Sequence, residues 1–286
     1  MSQKKKMKTT ESILETNVKQ AEFYNTKKKN FATRIWSKFR NGILNKVKKT
    51  VGIQDQAYLK HKEWFGDLSA KKVLDLGCFS GNYWSVYLAE HSKEYLGIDL
   101  SDVAITKLNQ RLAIFPNASA QTIDFLSVEF TEKDYDLIYA YGVLHHFENT
   151  KILMDKLNEK LATNGQIISY DPLETSLPIK IIRTLYRPFQ SDAAWEWPFT
   201  KKTFYQFQSS FTIVERRGLL GKSKWMALIS ILPISDDKKN KMGQKWHKED
   251  WDNSKISDSV LFGCMHLTML MEKKANSNEF ISTHTI

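Results

Sequence analysis

The sequence is poor in the residues that staple or break a chain. Two cysteines among 286 residues, Cys78 and Cys264, build neither a disulfide framework nor a zinc site. They fit a reduced, cytoplasmic setting. Six prolines and twelve glycines exclude collagen-like and low-complexity chains. The longest apolar run, residues 225–234, is about half of the roughly 20 residues that a membrane span requires. Lys4, Lys5 and Lys6 are followed by no apolar segment, so no secretory signal is expected. Acid is scarce in one place only. Residues 1–50 hold three Glu against fourteen Lys and Arg, which leaves 29 acids against 28 cations in residues 51–286. The formal charge of +10 therefore belongs to an N-terminal arm, and the body is neutral. A body that tracks nucleic acid along its face is disfavoured, so nucleic acid is not the expected partner.

What is present is apolar material for a sizeable core, 42% of the chain. A polar, Lys-rich start over 1–10 reads as disordered, and 11–25 as a helix. Phe31, Ile35, Trp36, Phe39, Ile43, Leu44 and Val47 then fall on one helical stripe, with Arg34, Lys38, Arg40, Lys46, Lys48 and Lys49 opposite. Three roles are open for this basic amphipathic helix over 31–49. It caps the body, lies peripherally on an anionic membrane, or contacts RNA phosphates.

From residue 72 the pattern alternates. Strands are expected at 72–76, 95–99, 120–124, 135–140 and 166–170, with helices at 83–89, 104–112 and 151–161 between them. That spacing argues a parallel, doubly wound α/β sheet. After Asp171-Pro172 the period breaks into a segment rich in Pro and aromatics. A helix at 201–207, a strand at 211–214 and an irregular stretch over 219–253, with Lys238 to Lys248 as a solvated charged loop, lead to a last strand at 264–271 and a polar tail over 275–286. The division expected is a basic helical arm (1–55), a ligand-binding core (56–175), a covering insertion with late core elements (176–260), and a terminal strand and tail (261–286).

The chemistry concentrates in Val73-Leu74-Asp75-Leu76-Gly77-Cys78-Phe79-Ser80-Gly81-Asn82. A buried strand runs into a Gly turn and then a helix, which sets backbone N–H groups beside a ligand. A dinucleotide site needs G-x-G-x-x-G, but only Gly77 and Gly81 are present, and Asp75 stands at the turn. An acid there repels phosphate and suits an ammonium group. Asp99, at the end of strand two, is placed to accept from ribose hydroxyls. Asp124, at the end of strand three, suits an adenine amino group, with Phe125 against the ring.

Together with Gly97-Ile98-Asp99-Leu100-Ser101 and Gly142-Val143-Leu144-His145-His146-Phe147, these segments resemble the class I S-adenosylmethionine-dependent methyltransferases of the small-molecule type. The resemblance implies a Rossmann-like seven-stranded sheet, mostly parallel with an antiparallel terminal strand, and S-adenosyl-L-methionine as cofactor. Asp75, Gly77, Cys78, Gly81, Asp99, Leu100, Asp124, Phe125 and Tyr141 would then hold it. The family's turn is D-x-G-x-G-x-G, and Phe79 replaces the middle glycine. Phe79 either keeps a negative φ or shifts the cofactor.

His145 and His146 follow strand four at the sheet edge where ligands bind. One of them orients or deprotonates the acceptor, or both serve packing and capping. No third ligand accompanies them, so no metal is expected. Asp171, Arg183, Asp192, Trp195, Glu196 and Trp197 are the candidate substrate wall, or the tryptophans only pack the insertion onto the sheet. Tyr139-Ala140-Tyr141-Gly142 lacks the Asn- or Asp-Pro-Pro-aromatic run of enzymes that methylate base amines. The expected activity is methyl transfer to a small molecule, lipid-like precursor or glycan. The alternatives are an RNA methyltransferase recruited by the arm, and a non-catalytic binding module on the same fold.

Overall fold

The computed structural model describes residues 10–26, 42, 45, 47, 51–190 and 193–274. Expectations for 1–9, for Asp192, for the tail over 275–286, and for most of the basic stripe lie outside these residues.

The chain opens on α1 (Thr10–Thr26) and α2 (Ile53–Phe65), then enters the alternating core. β1 (Lys72–Leu76) leads to α3 (Tyr83–His91), β2 (Glu94–Asp99) to α4 (Asp102–Leu112), and β3 (Ala118–Thr122) runs on to β4 (Tyr135–Tyr141). A single 3₁₀ turn, Leu144–His146, precedes α5 (Thr150–Lys160) and the long β5 (Leu161–Pro172). The sheet has seven strands in the order β3-β2-β1-β4-β5-β7-β6, where β6 is Phe211–Leu219 and β7 is His266–Lys273. β7 runs antiparallel between β5 and β6, and the remaining strand pairs are parallel.

Helix starts follow local chemistry. Asn82 caps α3 by accepting from the N–H groups of Trp84 and Ser85, while Ser85 Oγ accepts from Asn82 N–H. Ser101 caps α4 through Ala104 N–H, and Asn149 caps α5. Two apolar layers pack on the sheet. One contains Leu74, Ile98, Phe125, Ile138 and Met269, and the other Phe65, Val73, Trp84, Tyr95, Leu108 and Tyr139.

Three expectations are corrected. β3 ends at Thr122, so Asp124 stands in the loop beyond it, where its Oδ1 accepts from Leu126 N–H. The aromatic insertion contains an amphipathic helix, α6 (Leu177–Tyr186), followed by α7 (Lys201–Ser210). After the short α8 (Met226–Ile229), residues 236–253 form α9 (Asp236–Asn253) rather than a loop. Its inward face is Gly243, His247, Asp250 and Trp251, which a search for apolar periodicity passes over. Asp250 accepts from Lys222 and Ser223 N–H and from Ser223 Oγ, and this fixes the chain between β6 and α8. A last short helix, α10 (Asp258–Leu261), leads into β7.

Candidate active site

The C-terminal ends of β1, β2 and β4 open on one cavity of about 470 Å³, within the size range of small-ligand pockets. Gly77, the first residue of the turn after β1, has φ +68. A Cβ there would lie 2.4 Å from Val143 Cγ2, so glycine lets the loops after β1 and β4 close on each other. Phe79 also takes a left-handed φ, +49. The position that carries glycine in the family therefore keeps a glycine-like backbone here. Its N–H donates to Asp99 Oδ2 at 3.0 Å, which offsets part of the conformational cost.

Asp99 is the best-prepared acceptor in the cavity. Phe79 N–H holds Oδ2 and Ser101 N–H holds Oδ1 at 2.9 Å, and each oxygen keeps a lone pair for a diol. Burial raises the Asp99 carboxyl, and the backbone N–H groups oppose that shift. Asp124 lies at the far side with Ile123 and Phe125.

α1 forms a wall of the cavity that sequence reasoning did not place. Asn17, Gln20, Phe23 and Tyr24 line it. Asn17 Nδ2 donates to Asp124 Oδ2 at 2.7 Å, and Asn25 Oδ1 accepts from Ser101 Oγ at 2.6 Å. Phe23 packs on Trp195 with ring centroids 5.2 Å apart, and Tyr24 meets Phe79 edge-on. The only hint in the sequence was a polar-aromatic face within a short helix, and helical spacing does not say where such a face docks.

The two histidines separate. His146 lines the cavity, while His145 is buried behind it. His146 Nδ1 lies 2.8 Å from the carbonyl oxygen of Trp195. A carbonyl only accepts, so Nδ1 carries a proton, and Nε2 meets the Tyr24 hydroxyl at 3.4 Å. His145 Nδ1 and its backbone N–H both meet Asp171 Oδ1, at 2.9 and 3.1 Å. Burial pushes the Asp171 carboxyl up to about 7. Trp197 N–H donates to the His145 carbonyl at 2.8 Å. Asp171, Trp195 and Trp197 thus brace the 3₁₀ turn from behind.

Of the residues expected at the cofactor, Gly77, Asp99, Leu100, Asp124, Phe125 and Tyr141 line the cavity together. Asp75, Cys78 and Gly81 stand outside that lining. Asp75 is buried and accepts from the Tyr95 hydroxyl at 2.8 Å, and burial pushes its carboxyl up to about 6. Cys78 Sγ packs toward Gly97, and Gly81 is backed by Leu108 while its carbonyl accepts from Arg111. Arg183 lies on α6, also outside the lining. Among the described residues no cluster of three His, Cys, Asp or Glu is placed to hold a metal. The donor set fits an adenosyl sulfonium. Two carboxylates, Asp99 and Asp124, stand with apolar Ile98, Ile123 and Phe125, and among the described residues no Lys or Arg lines the cavity to oppose a cation.

A family described as a methyltransferase domain matches residues 52–219. The carboxy-S-adenosyl-L-methionine synthase of Helicobacter pylori strain G27 is 31% identical over 106 residues, covering 36% of this chain and 44% of that protein. The tRNA U34 carboxymethyltransferase of Idiomarina loihiensis is 26% identical over 106 residues, covering 36% and 33%. The chain thus spans less than half the length of either relative. Among solved structures, the N-methyltransferase NodS from Bradyrhizobium japonicum WM9, crystallised with S-adenosyl-L-homocysteine, aligns with a TM-score of 0.50 at 16% identity, covering 78% of this chain and 87% of that one.

Proposed function

Because the chain belongs to the methyltransferase-domain family, whose class I members use S-adenosylmethionine, we propose that it methylates a small, uncharged acceptor with His146 as the proton-accepting group. The acceptor class is a small molecule, lipid-like precursor or glycan. The observation that carries this reading is the place of His146, its Nδ1–H held by the Trp195 carbonyl, on the same cavity as Asp99 and Asp124.

S-adenosylmethionine, when bound, supplies a methyl group already activated on a sulfonium sulfur. Asp99 would accept from its ribose hydroxyls and Asp124 from its adenine amine, with Phe125 and Ile123 against the ring. Gly77 and Phe79 shape the backbone passing beneath. Phe23, Tyr24 and Phe147 narrow the reaction side and exclude water. Positioning of this kind supplies on the order of 7–11 kcal/mol of a bimolecular barrier. His146 Nε2 would take the acceptor's proton, worth about 10²–10⁴ in rate. Asp171 and His145 do not meet the acceptor in this reading; they hold the turn that aims His146.

Methylation of RNA is the second reading, favoured by the likeness to the tRNA carboxymethyltransferase and by the basic arm. Against it, and against a carboxylated methyl donor, no Lys or Arg among the described residues lines the cavity to meet phosphate or carboxylate. The test is transfer of label from [methyl-³H]-S-adenosylmethionine into fractions of a cell extract. Label is expected in the lipid, glycan or small-molecule fraction, and His146→Asn should lower it about a hundredfold or more. Label confined to RNA would establish the second reading. Undiminished transfer by His146→Asn would remove the base.

A further inference from the structure

α6 is amphipathic yet buries none of its side chains. Leu177, Ile181 and Leu185 stand four residues apart along one line, 69%, 51% and 71% exposed, with Ile182 beside them at 46%. A second apolar edge lies next to it. Lys224, just before α8, donates through Nζ to the hydroxyl of Ser176, the residue before α6, so the two segments start near each other. In the second segment Leu228, Ile231 and Leu232 are 58%, 80% and 47% exposed. Scattered exposed apolar residues need no explanation, but two adjoining segments that both present them do.

Within the two segments the charge has one sign. Residues 175–190 hold Lys180, Arg183 and Arg187 and no acid, and residues 219–235 also hold no acid. The inner side of α8 connects to the basic arm, because Met226 shares a buried cluster with Val47 and Val51. The arm itself carries nine Lys and Arg and no acid over residues 27–50.

We propose that the joint face of α6 and the α8 segment docks on an anionic lipid bilayer, with its apolar side chains in the headgroup layer and its cations on lipid phosphates. An apolar face rimmed by cations is the composition that interfacial helices use. A second copy of the chain fits the face poorly, since a two-fold contact would set the same cations against each other. This goes beyond methyl transfer and does not depend on it. α6 and Trp195, whose carbonyl holds His146, belong to the same insertion, with eight residues between them along the chain, so the docked face would lie on the insertion that braces the reaction side.

Vesicle flotation of the full-length protein tests this, using phosphatidylcholine vesicles alone and vesicles with about a third phosphatidylglycerol. The protein is expected to float with the anionic vesicles, less so at high salt, and to remain behind with phosphatidylcholine alone. The triple variant Leu177→Gln, Ile181→Gln, Leu185→Gln should cut the bound fraction about tenfold or more. Ile231→Gln with Leu232→Gln on the other edge should weaken binding in the same way. All five side chains are exposed, so folding should survive, as circular dichroism would verify. Three outcomes would overturn the proposal. They are absence of binding to anionic vesicles, variants that bind as well as the parent (the arm alone being the anchor), and a dimer in sedimentation that the variants dissolve without any vesicle binding.

Discussion

Phe79 sits at a position where the backbone demands a left-handed turn, and a side chain there costs about 1–2 kcal/mol relative to glycine. Gly77, two residues earlier, combines a left-handed φ with contact against Val143. Opposite substitutions at the two sites should therefore have opposite results. Phe79→Gly should leave stability within about 1 kcal/mol of the parent, because relief of the turn offsets the added freedom of the unfolded chain. Gly77→Ala should cost about 2 kcal/mol or more, since it adds a clash to a strained backbone. Urea unfolding of the two variants checks this, and equal losses would mean that the turn does not constrain φ. Residue identity was legible here, but conformation was not. Phe79 was visible as a departure, whereas its φ is set by the Asp99 carboxylate accepting its N–H, a contact between segments twenty residues apart.

At the scale of elements, α2 is tied to the sheet by one buried ring. His61 lies 3.2 Å from the Tyr139 hydroxyl through Nδ1 and 2.8 Å from Thr268 Oγ1 through Nε2. Thr268 already donates its hydroxyl proton to the Ser169 carbonyl, so Nε2–H must be the donor to Thr268 and Nδ1 the acceptor from Tyr139. The ring is satisfied as the neutral form, and burial pushes its pKa down to about 3. A folded-state pKa below the unfolded one gives stability that is complete above about pH 6.5 and is lost as pH falls toward 3. The parent should lose stability over that window relative to His61→Phe, as chemical denaturation at a series of pH values would reveal. Parallel pH profiles would remove His61 as the cause. The Phe variant should also start lower at neutral pH by about 1–3 kcal/mol, because two hydroxyls lose a partner.

Strands β1, β2 and β4 were readable because parallel neighbours buried on both faces leave continuous apolar runs, and β7 because it lies buried between its antiparallel neighbours β5 and β6. α9 was not, because its inward stripe is glycine, histidine, aspartate and tryptophan. α1 was legible as a helix but not as a wall of the cavity. Its polar contacts include Asp124, Ser101 and His146, in loops that only the sheet brings side by side.

The whole molecule divides its labour along its charge. The neutral body carries the sheet and the strand ends of the cavity, while the first fifty residues hold the cationic excess and supply α1 as one cavity wall. The three acids expected at strand ends proved unequal. Asp99 and Asp124 line one hollow, and Asp75 turns to Tyr95 inside the core. Spacing in the sequence places an acid at a strand end, but the direction of its side chain depends on a tyrosine one strand away. The central claim therefore rests on Asp99, and titration calorimetry with S-adenosyl-L-homocysteine tests it most directly. The full-length protein should bind, and Asp99→Ala should bind about a hundredfold more weakly while retaining its fold, since two hydrogen bonds to a charged group disappear. Equal affinity in the parent and the variant, or no binding by the parent, would contradict the account.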